Sequence, residues 1–543
     1  MVRRFLVVVL GVLAAVGVVP ATTGHAAVAP DCGGLVRTYQ IPGVVTHVRT
    51  ATEVEASGND PAHCLVEGYV EPAVQFQLRL PLTTWSGRYL QYGCDGHCGK
   101  FPEWSFRTCG PSGGDMAVAI TDDGHVAKGD NPFTLIMDGT WAANDQAARN
   151  DFFYRAPHVV SVASKRIIQA FYGRAPVHSY FSGCSTGGRE GLLLAQRYPH
   201  DFDGIVAGDP TNIMGPLAMY HAWLVKMNLR ADGTPVLTAD KLGPLHSAVL
   251  AACDGVDGLT DGQIDDPRAC RYDPATLQCP GADGPGCLTA DQVAIVRSLY
   301  RGPVDEDGAR LYPGSESRGS ELAWYGVVMP DPIFGSFLAA LPDNYLKYIG
   351  YPIGQPASSL ADIQFTVPEL QRLTPEGVKG NAMNPALSEF RRAGGKLILW
   401  HGSDDHTVPA AGTLDYYDRL AEQSGGWAAT QRFARLFMVP TMYHCAMDGY
   451  KLNTIDPFPA LVDWVEHARA PQRIIAEQRT QPGQGQLLRS RPVFPYPIRA
   501  KYDGSGSIDD AANFVPAPPL ARTNDRIHWA GEDLYHLTGP VAH

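Results

Sequence analysis

Three short segments of this chain carry the residue types that nucleophilic catalysis needs. Gly183-Cys184-Ser185-Thr186-Gly187 follows the pattern G-x-S-x-G. It comes after a β-prone run from Val177 to Ser182 and before a helical run containing Leu192, Leu193, Leu194 and Ala195. Strand, sharp turn and helix together expose a serine Oγ above the end of a sheet, and the small glycines let the backbone bend that tightly. At the helix start the N–H of Thr186 would point at a developing oxyanion. A glycine-rich turn with an incidental serine would show the same five letters. The strand before it and the helix after it favour the nucleophile.

A nucleophilic serine needs a base and an orienting carboxylate, and in this arrangement both follow it along the chain. Gly395-Lys396-Leu397-Ile398-Leu399-Trp400 reads as a buried strand, and the loop after it, His401 to Pro409, contains Asp404 and Asp405. Catalytic groups gather at the carboxyl ends of such strands. A further strand pattern, Ala434 to Val439, leads into Pro440-Thr441-Met442-Tyr443-His444-Cys445, which makes His444 the natural general base. Of the 17 histidines, His401, His406 and His200 are its competitors, and each is more easily read as a surface or packing residue.

Cys184 immediately precedes the candidate nucleophile, and Cys445 immediately follows the candidate base. A disulfide holds its two Cα atoms about 5.5–6 Å apart, so a bond between these two would fix the loops of Ser185 and His444 side by side. Closing so long a loop restricts the unfolded chain by up to roughly 5 kcal/mol in the entropic picture.

The elements needed to position these groups are those of an α/β fold: a mostly parallel sheet with helices on both faces. We expect an α/β-hydrolase core in two parts, residues 28–211 and 394–543. The glycine- and proline-rich stretch 212–393 between them is expected to form an inserted, loop-rich lid. At the start, Arg3 and Arg4 precede an apolar run from Phe5 to Val19 and small residues near Ala26 and Ala27. This reads as a signal peptide over residues 1–27, since the run is short for a bilayer that needs roughly 20 apolar residues. A secreted, extracellular protein with no membrane partner after cleavage is therefore expected. The net charge of −12 and the lack of a Lys/Arg cluster argue against a nucleic-acid surface. Eleven cysteines in an exported chain suggest disulfides, and their spacing is not that of a zinc site. Being odd in number, they leave at least one outside any intrachain pairing.

With these residues in place the chain resembles the tannase and feruloyl esterase family. The family's hallmark is a serine preceded by cysteine, an aspartate, and a histidine followed by the bonded cysteine, here Cys184-Ser185, Asp405 and His444-Cys445. Its aspartate ends an HGxxD pattern, which selects Asp405 over Asp404. The resemblance covers nearly all of the chain after residue 27. It implies that the loop Gly93-Cys94-Asp95-Gly96-His97-Cys98-Gly99 gives the second oxyanion amide, which we assign to Asp95 beside that of Thr186. The family usually has a run of glycines there. By the same resemblance, Phe494 and Val515 stand at the two positions where many members carry a C-terminal disulfide. The resemblance further implies the pairs Cys253–Cys270, Cys279–Cys287 and Cys32–Cys64, and leaves Cys94, Cys98 and Cys109 unpartitioned.

The acidic, glycine-rich segment Cys253 to Pro267 offers oxygen ligands suited to a hard cation, although its register is not that of an EF-hand. An ordinary acidic turn is the competing reading. The resemblance implies a structural Ca²⁺ held by side chains of Asp254, Asp257 and Asp261 and carbonyls of Leu259 and Gln263. It also implies a secreted serine esterase acting on phenolic or aromatic acid esters, feruloyl (hydroxycinnamoyl) esters first. Galloyl esters, as in a tannase, or mono-aryl terephthalate and phthalate esters are the alternatives. A non-catalytic binding protein on the same fold, or a metallohydrolase, would be a different class; the first requires loss of Ser185, Asp405 or His444, and the second a histidine in the acidic loop.

Overall fold

The computed structural model describes residues 31–58, 60–101, 114–329, 337–537 and 539. The expected signal peptide and Cys109 lie outside them. A ten-stranded sheet forms the centre, in the order β1-β2-β3-β4-β6-β5-β7-β8-β9-β10. Its first part is antiparallel: β1 (Thr38–Tyr39), β2 (Thr46–Val54), β3 (His63–Val70) and β4 (Val74–Pro81), with β4 pairing antiparallel to β6 (Met116–Thr121). The rest is parallel: β6, β5 (Arg88–Tyr92), β7 (His178–Cys184), β8 (Gly204–Gly208), β9 (Lys396–Gly402) and β10 (Ala434–Val439). Residue patterning explains the division. In β4, Val74, Phe76, Leu78 and Leu80 are buried while Gln75, Gln77 and Arg79 between them are only partly so, the alternation of a strand covered mainly on one face. β6 and β8 are buried along their whole length, as parallel strands covered on both faces must be.

Alternate residues of the parallel strands feed two buried clusters. Tyr89, Ala119, Phe181, Ile205 and Leu399 pack with Val160 and Ile167 of the helix Ala156–Tyr172 and Leu193 of the helix Thr186–Arg197. On the other face Leu90, Val118, Tyr180, Val206 and Ile398 pack against Phe458, Leu461 and Trp464 of the helix Phe458–His467. The helix Ala156–Tyr172 begins with Pro157 in its first turn and ends at Gly173 in the left-handed conformation, the two residues best suited to those ends.

Among the described residues no named strand lies between Gly208 and Lys396, so the sheet is interrupted where the lid was expected. That stretch is built from short helices and 3₁₀ turns. One helix, Ala290–Arg301, starts on a reciprocal cap between Thr289 and Gln292. Apolar residues of the stretch, among them Leu217, Leu245 and Trp324, join the cluster on the first sheet face. Disulfides Cys32–Cys64, Cys253–Cys270 and Cys279–Cys287 pair as the resemblance implied, and Cys94 pairs with Cys98. No helix among the described residues is long and apolar enough to cross a membrane.

Candidate active site

Ser185 occupies the turn between β7 and the helix Thr186–Arg197, with φ 59° and ψ −120°. An L-residue adopts that conformation only under local strain, here of about 1–3 kcal/mol. Its amide donates to the Gly208 carbonyl at 3.0 Å, and its carbonyl accepts from Thr211. The flanking glycines are sterically required: a Cβ on Gly183 would lie 2.5 Å from the Gly187 backbone, and one on Gly187 would lie 3.0 Å from the Gly93 Cα.

Asp405 and His444 stand at the ends of neighbouring strands, β9 and β10. The Nδ1–H of His444 donates to Asp405 Oδ2 at 2.7 Å, and the backbone N–H groups of Thr407 and Val408 each donate to Asp405 Oδ1 at 2.8 Å. His444 and Ser185 line the same cavity, and Asp405 stands behind the imidazole, buried. Burial alone would push the Asp405 carboxyl up, but His444, His401 and its hydrogen bonds hold it well below the usual range. Burial likewise opposes a charge on His444. The attraction of Asp405, joined by Asp209 and Asp95, outweighs it and raises the imidazole to about 9.

Asp404, the neighbouring candidate, faces elsewhere. It accepts from Ser317 Oγ at 2.7 Å, its other oxygen is buried without a hydrogen-bond partner, and burial beside Glu321 and Glu316 keeps the carboxyl well above its ordinary value. The rival histidines separate as clearly. His200 is exposed at the surface. His401 is buried between Thr413 Oγ1 and the Val408 carbonyl. His406 lines the cavity, and burial lowers its pKa to about 4, which keeps it neutral.

Cys184 and Cys445 form a disulfide with Cα atoms 5.8 Å apart. Because it ties the residue before Ser185 to the residue after His444, its effect should fall on geometry. Misplacing a catalytic group by 1 Å costs roughly 100-fold in rate. The double change Cys184→Ala with Cys445→Ala should therefore lower kcat by about that factor at temperatures where the protein stays folded. Peptide mapping of the unreduced protein should first show the two cysteines linked; full activity in the folded double variant would remove the bridge from the catalytic account.

The loop after β5, Gly93 to Gly99, docks directly on this turn. Thr186 Oγ1 donates to the Gly96 carbonyl at 2.7 Å, and Gly187 N–H donates to the Cys94 carbonyl at 2.9 Å. In a trans peptide the N–H opposes the carbonyl, so the Asp95 N–H points away from the helix. Among the described residues the N–H groups of Thr186, Asp95 and Gly96 find no acceptor. They are the amides free to meet an oxyanion. The Cys94–Cys98 disulfide closes the loop, over the buried carboxyls of Asp123 and Glu190. Sequence reasoning assigned no role to these two or to Asp209, because only the folded chain brings them beneath the site.

The cavity that holds Ser185 and His444 has a volume of 910 Å³. Its walls come from the sheet side (Tyr92, Trp400, Phe458) and from the stretch between β8 and β9 (Tyr325, Val327, Leu341), and they are mainly apolar, with Lys100 and Asp456 among the charged exceptions. A second cavity of 220 Å³, between the stretch that joins β8 to β9 and the C-terminal strands, reaches Asp405 but neither Ser185 nor His444.

In the acidic loop, Asp254 accepts the N–H groups of Asp261, Gly262 and Gln263, and Asp257 accepts that of Leu259. One Asp261 oxygen is held by Arg489 and Arg491. Burial and the neighbouring Asp257 push Asp265 up to about 7, and the Gln263 side-chain oxygen is buried without a partner. Crowded carboxylates and an orphaned oxygen are a donor set that suits a hard cation. Their oxygens do not converge as closely as the ligand atoms of Asp209, Asp405 and His444.

Comparison with known proteins agrees with this geometry. A family model described as tannase and feruloyl esterase matches residues 59–334 and 369–517. The chain is 35% identical, over 84% of its length and 85% of the relative's, to a mono(2-hydroxyethyl) terephthalate hydrolase of Piscinibacter sakaiensis. It is 30% identical, over 76% and 79%, to a probable feruloyl esterase B-2 of Aspergillus flavus. The crystal structure of feruloyl esterase B from Aspergillus oryzae shares the fold, with a TM-score of 0.76 at 24% identity, over 87% of this chain and 97% of that one.

Proposed function

The chain belongs to the tannase and feruloyl esterase family of carboxylic ester hydrolases, and from that premise we propose that it hydrolyses esters of phenolic acids, feruloyl esters first, with Ser185, Asp405 and His444 as its triad. The observation that carries the triad is the 2.7 Å contact from His444 to Asp405 on the wall of the cavity that Ser185 also lines. His444 Nε2 takes the Ser185 proton, and Oγ attacks the ester carbonyl. The amides of Thr186 and Asp95 stabilise the tetrahedral oxyanion. Asp405 holds the tautomer and stabilises the imidazolium. His444 then protonates the leaving alcohol, and water attacking the acyl-enzyme by the reverse route frees the acid. The apolar chamber beside Ser185 suits an aromatic ring, which supports the substrate class. A second reading, a mono-aryl terephthalate ester hydrolase, draws on the relative from Piscinibacter sakaiensis and on Lys100, a cation on the chamber wall.

A panel of methyl ferulate, methyl gallate and a mono-aryl terephthalate ester tests this. Fastest turnover of methyl ferulate is expected; the other two winning would make the protein a tannase or a terephthalate ester hydrolase. Hydrolysis of none would favour a binding protein. The apolar stretch Phe5–Val19 and the five disulfides support export from the cell.

Calcium fits the lid rather than the reaction. Side chains of Asp254, Asp257 and Asp261 and the carbonyls of Leu259 and Gln263 would hold it, with Asp265 alongside. A bound cation would neutralise the crowded carboxylates there and fix the loop. Exhaustive chelation should lower Tm by about 2–3 °C, given roughly 2.7 kcal/mol for a site at a hundredfold excess over Kd. Asp257→Asn with Asp261→Asn should do the same without chelator. An unchanged melting curve with no calcium by elemental analysis would leave the loop an ordinary acidic turn.

A further inference from the structure

Beneath the His444 imidazole lies a carboxylate that the reaction as described does not use. Asp209 follows β8, is wholly buried, and has a backbone φ of 37°, a region that favours glycine. Its Oδ1 accepts the N–H of Gly402, at the end of β9, at 2.8 Å. Its Oδ2 accepts the N–H of Cys445, next to His444, at 2.6 Å. The same oxygen lies 3.6 Å from Cys184 Sγ, and the Asp209 amide donates to the Trp400 carbonyl at 3.0 Å. One side chain therefore joins the ends of β8 and β9 to the loop after β10. Ligand atoms of Asp209, Asp405 and His444 all lie within 4.8 Å of one another.

We propose that Asp209 is a positioning residue of this esterase: it holds the His444 loop through the Cys445 amide and sets a second negative charge beneath the imidazolium that forms as Ser185 loses its proton. The proposal rests on His444 being the base. A purely structural reading, in which Asp209 only satisfies two strand-end amides, is answered by the chemistry of the contacts. Each oxygen accepts an N–H group, and an ionised acceptor makes the stronger hydrogen bond, so these contacts favour the carboxylate, while burial pushes the group up to about 6. The titratable groups facing it are His401 on β9, Asp405 on the loop after β9 and His444 on the loop after β10. Asp405 already gives one oxygen to two loop amides and the other to Nδ1–H. Asp209 adds its charge without touching the ring, so it acts on basicity and placement and leaves the tautomer to Asp405.

The test is kcat and KM for a chromogenic ester across the pH range, with folding checked by circular dichroism and Tm. Asp209→Asn should lower kcat by about 10- to 100-fold with KM within about threefold. It should also move the acid limb down by about 1 pH unit, because a carboxylate that favoured the charged imidazole is gone. Asp209→Glu, which keeps the charge but displaces the contacts, should hold the limb near the wild-type position while kcat falls. If the Asn chain is not recovered folded, Asp209→Gly decides. The φ of 37° favours glycine, and the carboxylate-sized gap should let added formate restore both kcat and the limb. A folded Asn or Gly variant with wild-type kcat, or one whose rate falls equally at every pH with the limb unmoved, overturns the proposal. A wild-type enzyme inactive on every ester would instead overturn the triad reading beneath it.

Discussion

Ser185→Ala should lower kcat by on the order of 10⁶ for any ester the enzyme turns over, while Tm stays within about 1 °C. The size follows from the step removed. Without Oγ there is no acyl-enzyme, and only the amides and the binding cavity remain to act on water. The small effect on stability follows from what Oγ does not do. Ser185 precedes the helix Thr186–Arg197, yet its side chain makes no capping hydrogen bond, so alanine loses no cap. The strained φ of 59° is equally unfavourable for serine and alanine. The chain should also lose covalent labelling by a serine-reactive phosphonate. Retention of most of the wild-type turnover would sink the assignment of Ser185 and, with it, the triad.

Much of this site was legible in the sequence because its parts are local. The turn at Ser185 is written in the two glycines that its backbone crowding requires, and Ala434–Val439 forms the expected strand to the residue. Cys184 and Cys445 flank the proposed nucleophile and base closely enough that their pairing could be argued before any coordinates. Other features are properties of tertiary packing. The alternation Val74-Gln75-Phe76-Gln77-Leu78-Arg79-Leu80 is written in the sequence, but the order in which the antiparallel strands from Thr38 to Pro81 join the sheet is not. Cys94 and Cys98 could not be divided from Cys109 by count; the pairing depends on how the loop folds over Asp123 and Glu190. Asp209 is the sharpest case. It is a lone aspartate before a proline, and its partners Gly402 and Cys445 are distant in the chain. Its meaning exists only where three strand ends meet.

The same contrast between local pattern and tertiary contact decides the choice between adjacent aspartates. Asp405→Asn should reduce kcat by about 10⁴-fold. Thr407 and Val408 both donate to Oδ1, so the carbonyl oxygen of an asparagine would settle there. Its NH₂ would then face His444 Nδ1, where the wild-type Oδ2 accepts at 2.7 Å. Two donors cannot share that contact. The ring must shift its proton to Nε2, and an imidazole protonated there cannot accept from Ser185. Asp404→Asn should cost no more than about threefold. Its Oδ1 accepts from Ser317, its other oxygen has no hydrogen-bond partner, and burial already keeps the carboxyl well above its usual pKa, as a neutral group that an amide imitates. Both variants keep the volume of the side chain, so comparing their kcat values at matched Tm separates chemistry from folding. A crippled Asp404→Asn beside an active Asp405→Asn would shift the register of the HGxxD segment by one residue and detach His444 from the carboxylate that orients it.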